Sequence, residues 1–139
     1  MDQTMATKTL EETDQHTIEL DAELDIPIFT YNKYVSGEGL REIASQWEDV
    51  IESEGADKYV VNTQSITAHD AEDKQWLAET WIPNLIDHGV RYGAGVFGDS
   101  ALASMDMEEI EGKLNAIDPS FEYRMFASES EALDWLAEQ

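Results

Sequence analysis

Residues 70–99, DAEDKQWLAETWIPNLIDHGVRYGAGVFGD, read as one long helix, a tight turn and a buried strand. Leu77, Trp81 and Leu85 recur every fourth residue, and Ile82 and Ile86 widen the stripe. A face that broad has to be covered by a sheet. Asp70 with Asp73 three residues later makes an acidic helix start, a weaker form of the capping box. His88-Gly89 ends the helix, the glycine supplying a left-handed residue that turns the chain back. Val90 to Phe97 then runs as a strand. Trp76 and Trp81 stand roughly 140° apart around a regular helix, which puts one of them at the margin of the buried face or in a groove.

Outward from this stretch the same periodicities continue. KYVVNT, residues 58–63, is a short strand, apolar on both sides at Val60 and Val61 as a helix-covered central strand is. Before it, Ser36 opens a helix whose Leu40, Ile43, Trp47, Val50 and Ile51 follow alternating spacings of three and four, and Gly55 closes it. HTIELDAEL and IPIFTYNKY read as two strands joined by a turn near Asp25, with Pro27 placing the second at a bulge or an edge. Residues 1–15 are polar and aperiodic and read as a flexible N-terminal segment.

Toward the C-terminus, GDSALASMDMEEIEGKLNAIDP reads as two helical pieces. The first starts at Asp99 or Ser100. The second is capped by Asp106 with Glu109 and carries Met107, Ile110 and Leu114 on its apolar side. FEYRMFA is the last strand, and Ser128 with Glu131 caps a closing helix that docks through Ala132, Leu133, Trp135 and Leu136. The expected fold is a single α/β domain over residues 16–138. Its order is β-β-α-β-α-β-α-β-α, a mixed, mainly parallel five-stranded sheet with an N-terminal hairpin and about four helices.

Charge dominates the composition. Eight Lys or Arg face 31 Asp or Glu, a formal net of -23, and the acids are scattered over every segment. Dispersed acid of this density points to adaptation to high intracellular salt, since salt screens the repulsion. A surface that courts a basic partner would concentrate its charge. No basic patch exists, which argues against nucleic-acid binding. The chain has no cysteine, so thiol catalysis, thiolate metal sites and disulfides are excluded. No apolar run is long enough to insert in a membrane, and the start MDQTMATKTLEETD lacks a signal-peptide core, so a cytoplasmic protein is expected.

Residues able to carry chemistry are few. His69 and His88 lie at opposite ends of the long helix, roughly 25–30 Å apart at the helical rise, and cannot share a metal. His88 suits the helix dipole, and His69 beside Asp70 and Asp73 reads as a solvated loop residue. Gly93, Gly95 and Gly98 lie in or at the end of a strand instead of at a strand-to-helix turn, unlike a dinucleotide fingerprint. No nucleophile elbow, phosphate loop or zinc motif is present. No catalytic residue, cofactor or metal is therefore expected. Trp76, Trp81, Pro83, Gly93 and Gly95 could frame an apolar crevice along the long helix for a small hydrophobic ligand, a lipid or a partner helix. Ser65 and Thr67, just before that helix, are the hydroxyls at which phosphorylation would act on its start.

Several of these residues also make up a family pattern. Asp73, Gln75, Trp76, Trp81, Pro83 and Gly89 on and after the long helix, then Met105, Asp106, Glu108, Glu109 and Ile110, and finally Glu131, Ala132, Trp135 and Leu136 together resemble the SpoIIAA-like branch of the STAS superfamily. YVVNT resembles the family's strand end, with Asn62 in the aspartate place. The resemblance implies a small STAS/SEC14-like α/β domain. The absence of an activatable nucleophile or ligand cluster points to a domain that is not an enzyme and acts through protein contacts in a regulatory role, with an unknown partner or a second copy. Binding of a small hydrophobic ligand and a hydrolase-type activity are the other readings. Better-known relatives are switched by serine phosphorylation in a D-S/T-S-G setting, which QSITAHDAED replaces here.

Overall fold

The structure is a computed structural model and describes residues 7–66, 69–98 and 100–139. Its sheet has six strands in the order β1-β2-β3-β4-β5-β6, which is also their order in the chain. These are β1 (Thr7–Glu12), β2 (His16–Asp21), β3 (Pro27–Tyr31), β4 (Lys58–Asn62), β5 (Tyr92–Val96) and β6 (Glu122–Phe126). The first three pair antiparallel and the last four pair parallel. Helix α1 (Gly37–Glu54) joins β3 to β4, and α3 (Ala101–Asn115) joins β5 to β6. Between β4 and β5 runs α2, residues 71–87, in which a π-helical turn (Leu77–Trp81) separates Ala71–Trp76 from Ile82–Asp87. Helix α4 (Glu129–Ala137) ends the chain.

The expected α/β plan and its parallel majority hold, but the sheet has six strands, not five. The additional strand is β1, within the stretch expected to be an aperiodic tail. Its sequence TKTLEE lacks an alternating apolar face because nearly all of it is exposed. It joins by backbone pairing alone, with a register shift between Thr9 and Glu11. Charge and a bulge are the usual devices that keep such an edge from recruiting another strand. At the opposite edge, the Asn115 side chain donates to Tyr123 O (2.9 Å) and accepts from Tyr123 N (2.7 Å), occupying backbone groups of β6.

Sequential strand order has a geometric consequence. Crossovers between parallel strands share one hand, so α1, α2 and α3 all fall on the same face. The larger core forms there, from Leu40, Trp47, Trp81, Leu85, Met107 and Ile110 against Phe29, Tyr31, Tyr59, Val61 and Tyr123. On the other face α4 alone covers Ile28, Val60, Ala94 and Val96 through Ala132 and Leu136. Gly55 (φ 63°) and Gly89 (φ 101°) turn the chain at the ends of α1 and α2, in the left-handed region where a side chain would be strained.

Two local expectations are corrected. Residues 101–115 are one helix, capped by Ser100 Oγ, which accepts from Ala103 N at 3.0 Å. Asp106 therefore lies in its middle and caps nothing. Nor do Asp70 and Asp73 form a capping box. Asp70 makes no cap hydrogen bond, and Asp73, 3% exposed, accepts from Gly37 N at 3.1 and 3.3 Å, fastening α2 to the start of α1.

Candidate functional site

Strand alternation sends Tyr31, Tyr59, Val61 and Tyr123 toward the three-helix face, where Gly93 and Gly95 contribute no side chain. Gly93 pairs with Tyr59 on one side and Tyr123 on the other, while Gly95 pairs with Val61 and Met125. Both glycines are covered by phenols. A Cβ on Gly93 would stand 2.7 Å from the Tyr59 ring and hydroxyl, and one on Gly95 would run into Tyr123 Oη and Met107 Cε. The tryptophans pack against the same layer. Trp47 stacks on Phe29 at 4.9 Å between ring centres, and Trp81 Nε1 donates to Ala44 O at 2.7 Å, tying α2 to α1. Over the tyrosines a cavity of about 30 Å³ remains, walled by Tyr59, Tyr123, Trp81, Met107, Leu114 and Thr63, among others.

A polar chain adjoins this cavity at the C-terminal ends of β3 and β4. Asp106 accepts from His69 N (3.2 Å) and His69 Nδ1 (3.0 Å) at one oxygen and from Lys74 Nζ (2.9 Å) at the other. With Nδ1 donating to the carboxylate, Nε2 accepts from Tyr31 Oη at 3.3 Å. Lys74 also donates to Glu109 at 2.8 Å. The side chains of His69 and Asp106 are each 4% exposed, so the cluster is internal.

Charge states follow from these contacts. Burial pushes the Asp106 carboxyl up, but the bonds from His69 and Lys74 outweigh it and hold the group below its ordinary value. Burial likewise opposes the Lys74 charge, and Glu109 and Asp106 overcome it, raising the ammonium. Tyr31, Tyr59 and Tyr123 are all pushed up, first by burial, and stay neutral hydroxyls.

Of the five crevice residues, the structure gathers three at the phenols. Trp81 walls the cavity, and Gly93 and Gly95 lie beneath the phenols beside it. Trp76 is half-buried at the margin of the larger core, with the Arg41 guanidinium of α1 5.4 Å over its ring, and Pro83 sits in the first turn of Ile82–Asp87. Ser65 is exposed, and Thr67 lies outside the described residues. His69 is not solvated, and its acidic partner is Asp106, not Asp70 or Asp73. The sequence does carry one signal for Asp106. In a single helix it shares the stripe of Ala103, Met107, Ile110 and Leu114, and a carboxylate on an apolar stripe calls for a buried base.

His88 bridges α2 to α1 through Glu48 (3.0 Å) and Glu52 (3.3 Å). Among the described residues no cluster of His, Asp or Glu is arranged to hold a metal ion, and no helix is long and apolar enough to cross a membrane. No protein-family model matches the chain, and no curated protein matches it either.

Proposed function

We propose that the chain is a non-catalytic, SpoIIAA-like domain that regulates another protein by contact. The observation that carries this reading is the first half of α3. Leu102 and Met105, three residues apart and 56% and 65% exposed, face solvent, while Asp106 beside them turns inward. His69, the residue best suited to acid-base work, has both ring nitrogens engaged by Asp106 and Tyr31. A large exposed apolar pair fits an apolar spot on a partner protein.

A photo-crosslinking residue placed at position 105, with one at Glu122 as the control site, tests this in native lysate. A discrete protein adduct from position 105 alone, lost on Leu102→Glu, is expected; equal labelling from both sites overturns the reading. Turnover in a substrate screen, abolished by His69→Gln, would overturn its non-catalytic part.

The aromatic cavity supports the second reading, a small hydrophobic ligand. At about 30 Å³ it is far below the roughly 300–1,000 Å³ of pockets for drug-sized molecules, so such a ligand would require α2 to move. The dispersed acid supports a third element of the proposal, an origin in high salt, which a melting temperature that rises with KCl would support and one indifferent to KCl would overturn.

A further inference from the structure

The cavity over the tyrosines is apolar, because the polar atoms of its wall residues are committed elsewhere. Tyr31 Oη donates to His69, Thr63 Oγ1 to Val96 O, Trp47 Nε1 to His16 and Trp81 Nε1 to Ala44 O. The hydroxyls of Tyr59 and Tyr123 lie over Gly93 and Gly95. What remains to face the space is ring carbon, the methyls of Leu77, Ile110 and Leu114, and the Met107 thioether. A buried water needs about two to four polar partners, so chemistry and not size keeps water out.

The walls are also held apart. Helix α2, which roofs the cavity, is fastened on both sides of it. Ahead of the cavity Asp73 accepts from Gly37 N and Lys74 donates to Asp106. Beyond it Trp81 donates to Ala44 O and His88 meets Glu48. Trp81 in turn meets Trp47 and Tyr59 edge-on, with ring centres 6.2 and 5.8 Å apart, and rigid rings so packed do not slide together to close the gap. Between the ties of Lys74 and those of His88 lies the π-helical turn Leu77–Trp81, whose first and last residues both line the cavity. Such turns interrupt the regular hydrogen-bond ladder and are frequent at functional sites.

We propose that the cavity is a binding site for one small uncharged apolar molecule, admitted by local opening of the π-helical turn. The inference rests on the second reading above and narrows it to a ligand that fits with α2 in place. On the scale where one water needs roughly 10–15 Å³, a cavity of about 30 Å³ takes one xenon atom or about two or three carbon atoms. Larger apolar cavities, of about 150 Å³, stay dry and bind benzene or xenon for the same reason, that their walls offer only dispersion. Aromatic rings and a thioether are polarisable, which favours a polarisable guest.

Xenon is the probe, dissolved under pressure with the methyl-labelled chain at fixed KCl and followed by nuclear magnetic resonance. Saturating shifts are expected at the methyls of Leu77, Met107, Ile110 and Leu114, with only a linear drift at the exposed Leu102 and Met105. Leu114→Phe, which fills the cavity, should abolish the saturating shifts. Shifts that stay linear, or that match those of Leu102 and Met105, overturn the proposal, as do saturating shifts that survive Leu114→Phe. Should that variant fail to fold, a crystal of the unmodified chain under xenon pressure takes its place: a xenon peak within these walls supports the site, and its absence there overturns it. The reading of a larger ligand is tested apart by benzene, and falls only if benzene also leaves these methyls unmoved.

Discussion

Tyr123 stands opposite Gly93 on the neighbouring strand, yet its hydroxyl occupies the space above Gly95, where a Cβ would have to go. The ring leans along the sheet because two bare positions in succession on one face of β5 leave a trough two residues long. Tyr59 fills the other half of it from β4. Aromatic side chains from the flanking strands thus restore the volume that β5 lacks beneath the three helices.

Gly95→Ala is accordingly expected to destabilise the fold by about 1–3 kcal/mol, the usual cost of overpacking a close-packed core. Met107 Cε is a flexible end that can swing aside, but the buried Tyr123 ring has to tilt to clear the new methyl. Gly112, on the exposed side of α3, has no atom within 4 Å of the point a Cβ would occupy, and Gly112→Ala should stabilise by roughly 0.5–1 kcal/mol. Urea melts at fixed KCl measure both, and a neutral Gly95→Ala would show that the trough is not filled as described.

Asp106→Asn should cost about 3 kcal/mol, because it removes the charge that faces the Lys74 ammonium and one of the two oxygens that accept from His69 and Lys74. Lys74 retains Glu109, which limits the loss. The pH dependence has a definite sign. With the folded carboxyl held below its ordinary value, the stability it contributes is complete above about pH 4 and is lost as pH falls through the folded value. Comparing urea midpoints from about pH 5 to about pH 2.5 should show a steeper decline in the parent than in Asp106→Asn. Parallel declines would remove Asp106 from the account.

How much of this is legible in the residues depends on what holds each piece. The helices and inner strands announce themselves because burial imposes a period, as in Leu40, Ile43, Trp47 and Ile51 of α1. β1 is silent because backbone pairing at an exposed edge requires no apolar pattern. The glycine pair is legible as a bare face, but which rings lie on it depends on registers that bring Tyr59, Gly93 and Tyr123 into one row. Asp106 misleads because an acid three residues before Glu109 satisfies a capping pattern equally well. Only the continuity of α3 past it, set by Ser100 at the start, turns it inward.

His16 supplies a second pH prediction, nearer neutrality. Its Nδ1 accepts from Trp47 Nε1 at 3.1 Å, and burial lowers the imidazole below its usual value against the pull of Glu11 and Gln46. The unfolded chain therefore takes up this proton first, near pH 6.5, and stability falls as pH drops from there to the folded value. His16→Gln should flatten the decline between about pH 7 and about pH 5.5. Differences between parent and variant in urea melts isolate this residue from the carboxylates common to both. A variant that follows the parent's slope would show that His16 does not titrate differently on folding.

The broadest prediction concerns salt. The described structure engages few of the acids in ion pairs, and those that it does, such as Asp106 with Lys74, draw on a supply of only eight Lys or Arg against 31 Asp or Glu. At about 0.1 M ionic strength the screening length is near 10 Å, comparable with the spacing of neighbouring acids on a domain this small; near 1 M it is about 3 Å. Repulsion should weaken steeply across that range, and salts excluded from the surface would strengthen apolar burial as well. The melting temperature is therefore expected to climb steadily between about 0.1 and 2 M KCl, with partial unfolding in dilute buffer. Circular-dichroism melts in KCl and in an osmotically matched neutral solute separate screening from exclusion. A rise in both solutes would assign the effect to exclusion, and a melting point indifferent to KCl would return the acidic surface to the service of a basic partner.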